Sequence, residues 1–427
     1  MVKRTVQMLV FVLIGGGALH AAAQAPATLD SLVREALARN PELRSSYQVW
    51  QASEVKIPQA GSLPDPMVSF SLANLPVNSF ALDQEPMTGK KISVSQMFPF
   101  PGKLGLKENA ARNGAEMRRF SHQELKNRIT RDVKNAYYDL FAVDKAIQIV
   151  EKNRQLMGEF VKIAQTKYGV GKGLQQDVLK AQVELSKLGD RLVSLRQKRV
   201  ALQARLNALL NRPPQNPLPV TAELEFRPVS VSFDTLRKLA EANRPLLKAW
   251  KAYVRLNQTK LKLARKDYLP NFTLGVAYTQ REVLRNGKGG VDYLSGFLGL
   301  NVPLYFWRKQ SKKVEESQLN LSAAELKLAD IRNRVFAMLQ SSLSAVEKDQ
   351  RLVDLYKTGI IPQASQSLQA AISGYQTDKV DFLTLLNNQI TLFNYQLQYY
   401  RVLADFYKSL AELEWVVGVP VNRMQVQ

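Results

Sequence analysis

Leu37-Ala38-Arg39-Asn40-Pro41-Glu42-Leu43 comes back two hundred residues later as Leu239-Ala240-Glu241-Ala242-Asn243-Arg244-Pro245-Leu246-Leu247. That recurrence decides how the chain is read. It is not isolated. Leu63-Pro64-Asp65-Pro66 is matched by Leu269-Pro270-Asn271-Phe272, and Phe98-Pro99-Phe100 by Val302-Pro303-Leu304. Tyr168 and Asp177 flank one turn-like segment, and Tyr375 and Asp381 flank another. The offset stays between 204 and 207 residues. A repeat this long means two copies of one supersecondary unit. It predicts a first structural repeat over 24–211, an equatorial linker over 212–231, a second repeat over 232–420 and a tail over 421–427.

Each copy reads helix, two short strands, long helix, turn, helix. The strands are predicted at about 66–76 and 89–98, and at about 270–284 and 291–303. They alternate with period two, as half-buried strands do. Val68, Phe70 and Leu72 share one face against Ser69 and Ser71; Phe272, Leu274 and Val276 share one against Thr273, Gly275 and Ala277. No proline occurs between Pro101 and Pro213, and the strong breaker in that span is Gly169-Val170-Gly171-Lys172-Gly173. The reading is a helical hairpin over 103–211 with its tip at 168–177. Its first arm, Leu104 to Lys167, extends on the order of 95 Å at about 1.5 Å per residue. A second hairpin is expected over 305–417 with a tip at 375–381, three residues shorter than the first. The apolar positions Leu125, Ile129, Val133, Ala136, Leu140, Val143, Ile147 and Val150 step by three and four, as do Leu383, Leu386, Ile390, Phe393, Leu397 and Tyr400. Such seams want a partner helix packed knobs-into-holes. Pro362 predicts a kink or local break in the second hairpin.

Lys3 and Arg4, the apolar run Met8 to Leu19 and Ala21-Ala22-Ala23 have the form of a secretory signal peptide over 1–23. The run is too short for a membrane-spanning anchor. The chain has no cysteine, which removes disulfides and the acylated N-terminal cysteine of lipoproteins. A secreted chain without a membrane helix still has one way to span a membrane, the closed β-barrel. Four strands cannot close one, since about eight is the smallest number seen; several chains must contribute. On that reading Val68, Phe70, Leu72, Phe272, Leu274 and Val276 face lipid. The alternative is a secreted periplasmic coiled-coil scaffold capped by a small soluble sheet.

These residues resemble the TolC-like outer membrane efflux family, from about Thr28 to Gly418. The most specific element is Tyr168-Gly169-Val170-Gly171 followed by Asp177-Val178-Leu179-Lys180-Ala181-Gln182, which looks like the family's turn at the periplasmic tip of the first hairpin. Leu63-Pro64-Asp65-Pro66-Met67 and Gln96-Met97-Phe98-Pro99-Phe100-Pro101-Gly102-Lys103-Leu104 look like the branch that serves heavy-metal efflux pumps. The resemblance implies a mainly α protein with a small β part. Three chains of four strands would make a 12-stranded β-barrel in the outer membrane, continuous with a 12-helix α-barrel. It implies a passive exit duct for heavy-metal cations or small toxic compounds. The partners would be a periplasmic adaptor (membrane fusion) protein, an inner-membrane pump of the resistance-nodulation-division (RND) type, and outer-membrane lipid. Tyr168, Gly169 and Gly171 would meet the adaptor.

The resemblance also implies a periplasmic gate. Asp381 matches the family's first constricting aspartate, the uncharged Thr384 falls on the second, and Asp177 and Tyr375 match an inter-hairpin link. A ring of carboxylates focuses negative potential and favours cations. The same aspartates also suit a second reading, as N-caps of the returning helices.

Lys+Arg 59 against Asp+Glu 37 gives +22. The basic residues are spread along helices, as on solvated faces, and with a signal peptide this sets nucleic-acid binding aside. Anionic lipid headgroups, or a lumen less acidic than usual, are the expected consequences. With His122 the one histidine after the signal peptide, no cysteine, no nucleophile elbow, no metal-spaced ligands and no phosphate loop, the sequence predicts no enzyme and no cofactor. His122 is expected at a solvated position.

Overall fold

The computed structural model describes residues 28–420; the expected signal peptide and tail lie outside them. Each repeat opens with two helices, where the sequence suggested one. These are α1 (Leu29–Arg39) and α2 (Pro41–Gly61) in the first copy, and α5 (Phe233–Asn243) and α6 (Pro245–Lys266) in the second. The prolines explain the division. Proline has no N–H and suits the first helical position, so Pro41 and Pro245 each start a new helix.

The strands are β1 (Met67–Ala73), β2 (Gly89–Phe98), β3 (Asn271–Gln280) and β4 (Tyr293–Asn301), three of them shorter than expected. They form one antiparallel sheet in the order β1-β2-β3-β4. The central pair, β2 and β3, joins the repeats in register from Phe98↔Phe272 to Lys90↔Gln280. Strands β1 and β4 are the two edges.

The long helices are α3 (Lys103–Gly169) and α4 (Gln175–Leu209) in the first copy. The second has α7 (Gln310–Asp354), α8 (Ile361–Gln376) and α9 (Phe382–Val417). Helix α3 has 67 residues, about 100 Å at ~1.5 Å per residue. The break expected at Pro362 takes a particular form, a π-helical turn over Leu355–Ile360 immediately before it. A wider turn moves the carbonyls that would clash with the proline ring or lose its N–H, so the rod continues without ending.

Ile129, Val133, Ala136, Leu140, Val143 and Val150 of the α3 seam are buried. All of these but Val143 belong to one of two cores. One surrounds the helix junctions and includes Leu236, Val402 and Phe406; the other runs between the hairpins and includes Phe160, Leu386 and Phe393. Between the hairpins a buried polar pair, Gln389 Nε2 donating to Asn153 Oδ1 at 2.6 Å, interrupts the apolar seam. One such pair fixes register, because sliding the helices would strand both amides.

The two opening junctions use different side chains for the same task. Asn40 caps α2 itself, accepting from Leu43 N–H at 3.2 Å, and its amide donates to the Leu209 carbonyl at the end of α4, 3.0 Å away. Arg244 stands in the corresponding place. It donates to the Val416 carbonyl at the end of α9 at 3.0 Å, but a guanidinium accepts nothing. The α6 N-terminus is therefore capped by Glu124 of α3, which takes Leu246 N–H at 3.1 Å and Arg244 Nη2 at 3.2 Å. Arg244 is 1% exposed and lies over Trp415, whose ring Arg131 also covers. Burial pushes the Arg244 guanidinium down; Glu124 opposes the shift.

Candidate functional site

At the far end of each hairpin the backbone repeats itself with a constant offset. Helix α3 ends on C-cap Val170 and α4 begins on N-cap Leu174; α8 ends on C-cap Thr377 and α9 begins on N-cap Asp381. The second tip is therefore not three residues shorter, as the spacing of the aspartates suggested. Lys172 N–H bonds to Lys167 O at 2.9 Å, and Lys379 N–H to Gly374 O at 2.8 Å. Each bond is the long-range closure of a helix that ends on a left-handed residue. That residue is Gly171 (φ +71°) in one tip and Asp378 (φ 54°) in the other. A non-glycine residue rarely occupies this region, and aspartate is among those that tolerate it.

This alignment separates the two aspartates. Asp381 is the N-cap of α9 and accepts Thr384 N–H at 2.6 Å. That backbone donor holds its carboxyl below the ordinary value of 3.8. Asp381 and Thr384 are exposed. Asp177 caps nothing. It lies in the first turn of α4, where Leu174 is the N-cap without a side-chain bond, so the capping reading fails for it. The counterpart of Asp177 is Thr384, and that of Asp381 is Leu174.

Tyr375 is half-buried against Phe382, with ring centroids 5.8 Å apart. Burial raises its phenol above the ordinary value, Lys167 opposes this, and the nearby Asp177 carboxylate adds to it. Among the described residues no hydrogen bond joins Asp177 to Tyr375 within one chain. The contact that does join the tips runs through Lys167, in the last turn of α3. Its ammonium donates to Asp378 Oδ1 at 2.7 Å and to Tyr375 O at 3.3 Å, and sits 4.1 Å from the centre of the Tyr375 ring. The hydrogen bond to Asp378 raises the Lys167 ammonium and holds the Asp378 carboxyl down. In the sequence Asp378 stands near the place of the glycine that the second tip lacks, but nothing local pairs it with Lys167. The 207-residue offset that sets Gly171 against Asp378 was the available sign. Tyr168, Gly169 and Gly171 lie at the outer end of the first tip, exposed.

At the opposite end, the sheet separates its faces as the alternation predicted. Cross-strand rows place Val68, Val94 and Val276 together, then Phe70, Ile92, Tyr278 and Leu294, then Leu274 with Leu298. These side chains are exposed, Phe70 to 67% and Leu294 to 81%. Leu72 is also exposed; Phe272, stacked on Phe100, is half-buried. The other face carries Ser69, Ser93, Ala277 and Ser295 in one row. Phe297 departs from the pattern. It lies on this polar face opposite Gly275, and a Cβ added to Gly275 would come within 2.2 Å of its ring. The glycine is there to admit the ring.

His122 is half-buried rather than solvated. It accepts from or donates to Ser46 Oγ at 2.7 Å and stacks on Trp50. Burial, with Lys126 second, lowers its imidazole. Among the described residues no cluster of acids and histidines could hold a metal ion, and no helix is long and apolar enough to cross a membrane.

A sheet with an apolar outer face and two open edges, set on helices of about 100 Å, defines a transenvelope channel subunit. The sequence profile of the family "Outer membrane efflux protein" matches residues 32–212 and again 236–419, once in each repeat. The chain belongs to that family. It is 24% identical over 387 residues to the outer membrane efflux protein BepC of Brucella suis, covering 88% of this chain and 82% of that protein. It is 24% identical over 384 residues to the cobalt-zinc-cadmium resistance protein CzcC of Cupriavidus metallidurans, covering 86% and 84%. Its fold is similar to that of the outer membrane protein VceC from Vibrio cholerae, with a TM-score of 0.76 at 15% identity over 92% of this chain and 96% of that one. The protein is an efflux channel component of the outer membrane that extends into the periplasm, and the scaffold reading is set aside.

Proposed function

We propose that three copies close one barrel, and that the tips form its periplasmic gate. The observation that carries this is the sheet itself. Both edge strands, β1 and β4, leave a row of backbone groups unpaired beside an apolar face. In lipid each unpaired group costs several kcal/mol, so the edges must meet other edges. Pairing β4 of one copy with β1 of the next satisfies them, and three chains of four strands exceed the smallest known barrel of about eight. The apolar rows then face outer-membrane lipid and the serine row faces the lumen.

The duct works passively, as the outer-membrane part of a tripartite efflux system. A periplasmic adaptor engages the tip turns at Tyr168, Gly169 and Gly171, and an RND-type inner-membrane pump supplies the energy. Likeness to a cobalt-zinc-cadmium resistance protein makes heavy-metal cations the first cargo to test, ahead of other small toxic compounds. Asp381, exposed and with its carboxyl held below the ordinary value by Thr384 N–H, would place three carboxylates around the axis, with the uncharged Thr384 beside each. Asp177 and Tyr375 would link neighbouring hairpins. The decisive measurement is the detergent-corrected mass of the purified protein. A trimer is expected; a monomer would sink the barrel, and a dimer would sink its closure by three copies.

A further inference from the structure

The excess of positive charge has no part in the duct as described, and some of it is concentrated. Where the strands pass into the long helices, the start of α3, the end of α6 and the start of α7 meet, and Tyr305-Phe306-Trp307-Arg308-Lys309 leads directly into the last. Lys103 Nζ donates to Leu269 O at 2.8 Å and to Asn271 Oδ1 at 3.0 Å; Lys266 Nζ donates to Pro101 O at 3.1 Å; Lys313 pairs with Asp267 at 2.6 Å. These bonds tie the stretches into one collar. Lys103 feels Lys107, Lys313 and Lys266 at once, against the single carboxylate of Asp267. Lys312 is held by Glu315. Lys107, Arg265, Arg308 and Lys309 form no ion pair among the described residues, and all four are exposed.

Immediately before Arg308 and Lys309 in the chain lies an aromatic cluster. Tyr305, Phe306 and Trp307 are 69%, 50% and 57% exposed, with Phe306 and Trp307 centroids 5.2 Å apart. The segment is rigid: Arg308 and Lys309 N–H both bond to Tyr305 O, at 3.1 and 3.0 Å, and Ser311 N–H to Phe306 O at 2.9 Å. Exposed aromatic rings next to an apolar strand face mark the depth where hydrocarbon gives way to headgroups. Because the long helices lead into the periplasm, this is the periplasmic leaflet. The inference rests on the barrel reading in that respect.

We propose that this collar binds anionic phospholipid of the periplasmic leaflet: the rings of Tyr305, Phe306 and Trp307 lie against the upper acyl chains, and Arg308, Lys309, Lys107 and Arg265 take the phosphodiester. Charge complementarity selects the class. Unpaired cations at the surface attract a net-negative headgroup more strongly than a zwitterionic one, whose own ammonium offsets its phosphodiester.

The test is native mass spectrometry of the full-length protein recovered from vesicles of phosphatidylethanolamine and phosphatidylglycerol. Wild type should retain phosphatidylglycerol in clear excess over its share. Arg308→Gln/Lys309→Gln, or Lys107→Gln/Arg265→Gln should the first not assemble, should lower that enrichment by about fivefold for each cation removed. Lys152→Gln/Lys198→Gln on the hairpin should leave it unchanged. Equal retention of both lipids by wild type, or equal loss in the hairpin control, overturns the site while leaving the channel standing. Failure to float with vesicles of any composition removes the barrel and the site together.

Discussion

The two hairpin tips share one backbone and differ in chemistry. Both end a helix on a left-handed residue and restart after the same number of residues, yet one uses Gly171 and the other Asp378. The first tip carries no charge on the turn residue. In the second that residue is a carboxylate, and Lys167 reaches across from the first hairpin to hold it. The helix junctions repeat the lesson: Asn40 does alone what Arg244 does only with Glu124. Duplication preserves backbone geometry, which the hydrogen bonds of the helix ends dictate. It leaves side chains free to diverge wherever a second way of satisfying the same carbonyl or N–H exists.

Breaking the junctions should show this asymmetry most strongly. Arg244→Met leaves the half-buried Glu124 carboxylate without its partner, and a loss of about 3–5 kcal/mol is expected. Asn40→Ala removes the cap and the donor to the Leu209 carbonyl but strands no charge, and should cost about 2 kcal/mol. Urea unfolding of the detergent-solubilised protein measures both; equal losses would erase the distinction. Next come the strand faces. Leu274→Arg should cost about 2–4 kcal/mol near the bilayer midplane, whereas Thr273→Arg on the neighbouring polar face should assemble. Folding yield into lipid vesicles reads the difference, and equal yields would reverse the assignment of faces.

The tips themselves give smaller effects. Gly171→Asp should copy the second tip's backbone strain without its lysine and cost about 1 kcal/mol. Asp378→Gly should relieve strain and lose an exposed ion pair, for little net change. A thermal melt in which Asp378→Gly stabilises by as much as Gly171→Asp destabilises would show that Lys167 contributes nothing. The Lys167–Asp378 pair has a depressed carboxyl and a raised ammonium, so its contribution is full between the ordinary values of 3.8 and 10.5. It fades as pH falls through the lowered Asp378 value or rises through the raised Lys167 value. Last, Asp381→Asn should diminish cation selectivity in planar bilayers while Leu174→Asp in the first tip increases it. Wild-type selectivity should persist as pH falls to 3.8 and fade only below, because the Asp381 carboxyl is held down by Thr384 N–H. An unchanged reversal potential in Asp381→Asn would leave that aspartate as a helix cap alone.

The sequence by itself determined the duplication, the long hairpins, the strand alternation and the family. Each is written locally: a period of two puts Val68, Phe70 and Leu72 on one face whatever the sheet does, and a span without proline from Pro101 to Pro213 favours helix throughout except at its glycine cluster. What tertiary structure decided is pairing between distant residues. That β2 of one repeat lies beside β3 of the next, that Phe297 meets Gly275 of the facing strand, that Lys167 clasps Asp378, and that Arg244 borrows its cap from Glu124 all depend on segments well over a hundred residues apart or in facing strands. Local propensity carries no information about such partners. They are set by which carbonyls, N–H groups and charges remain unsatisfied once the helices have packed.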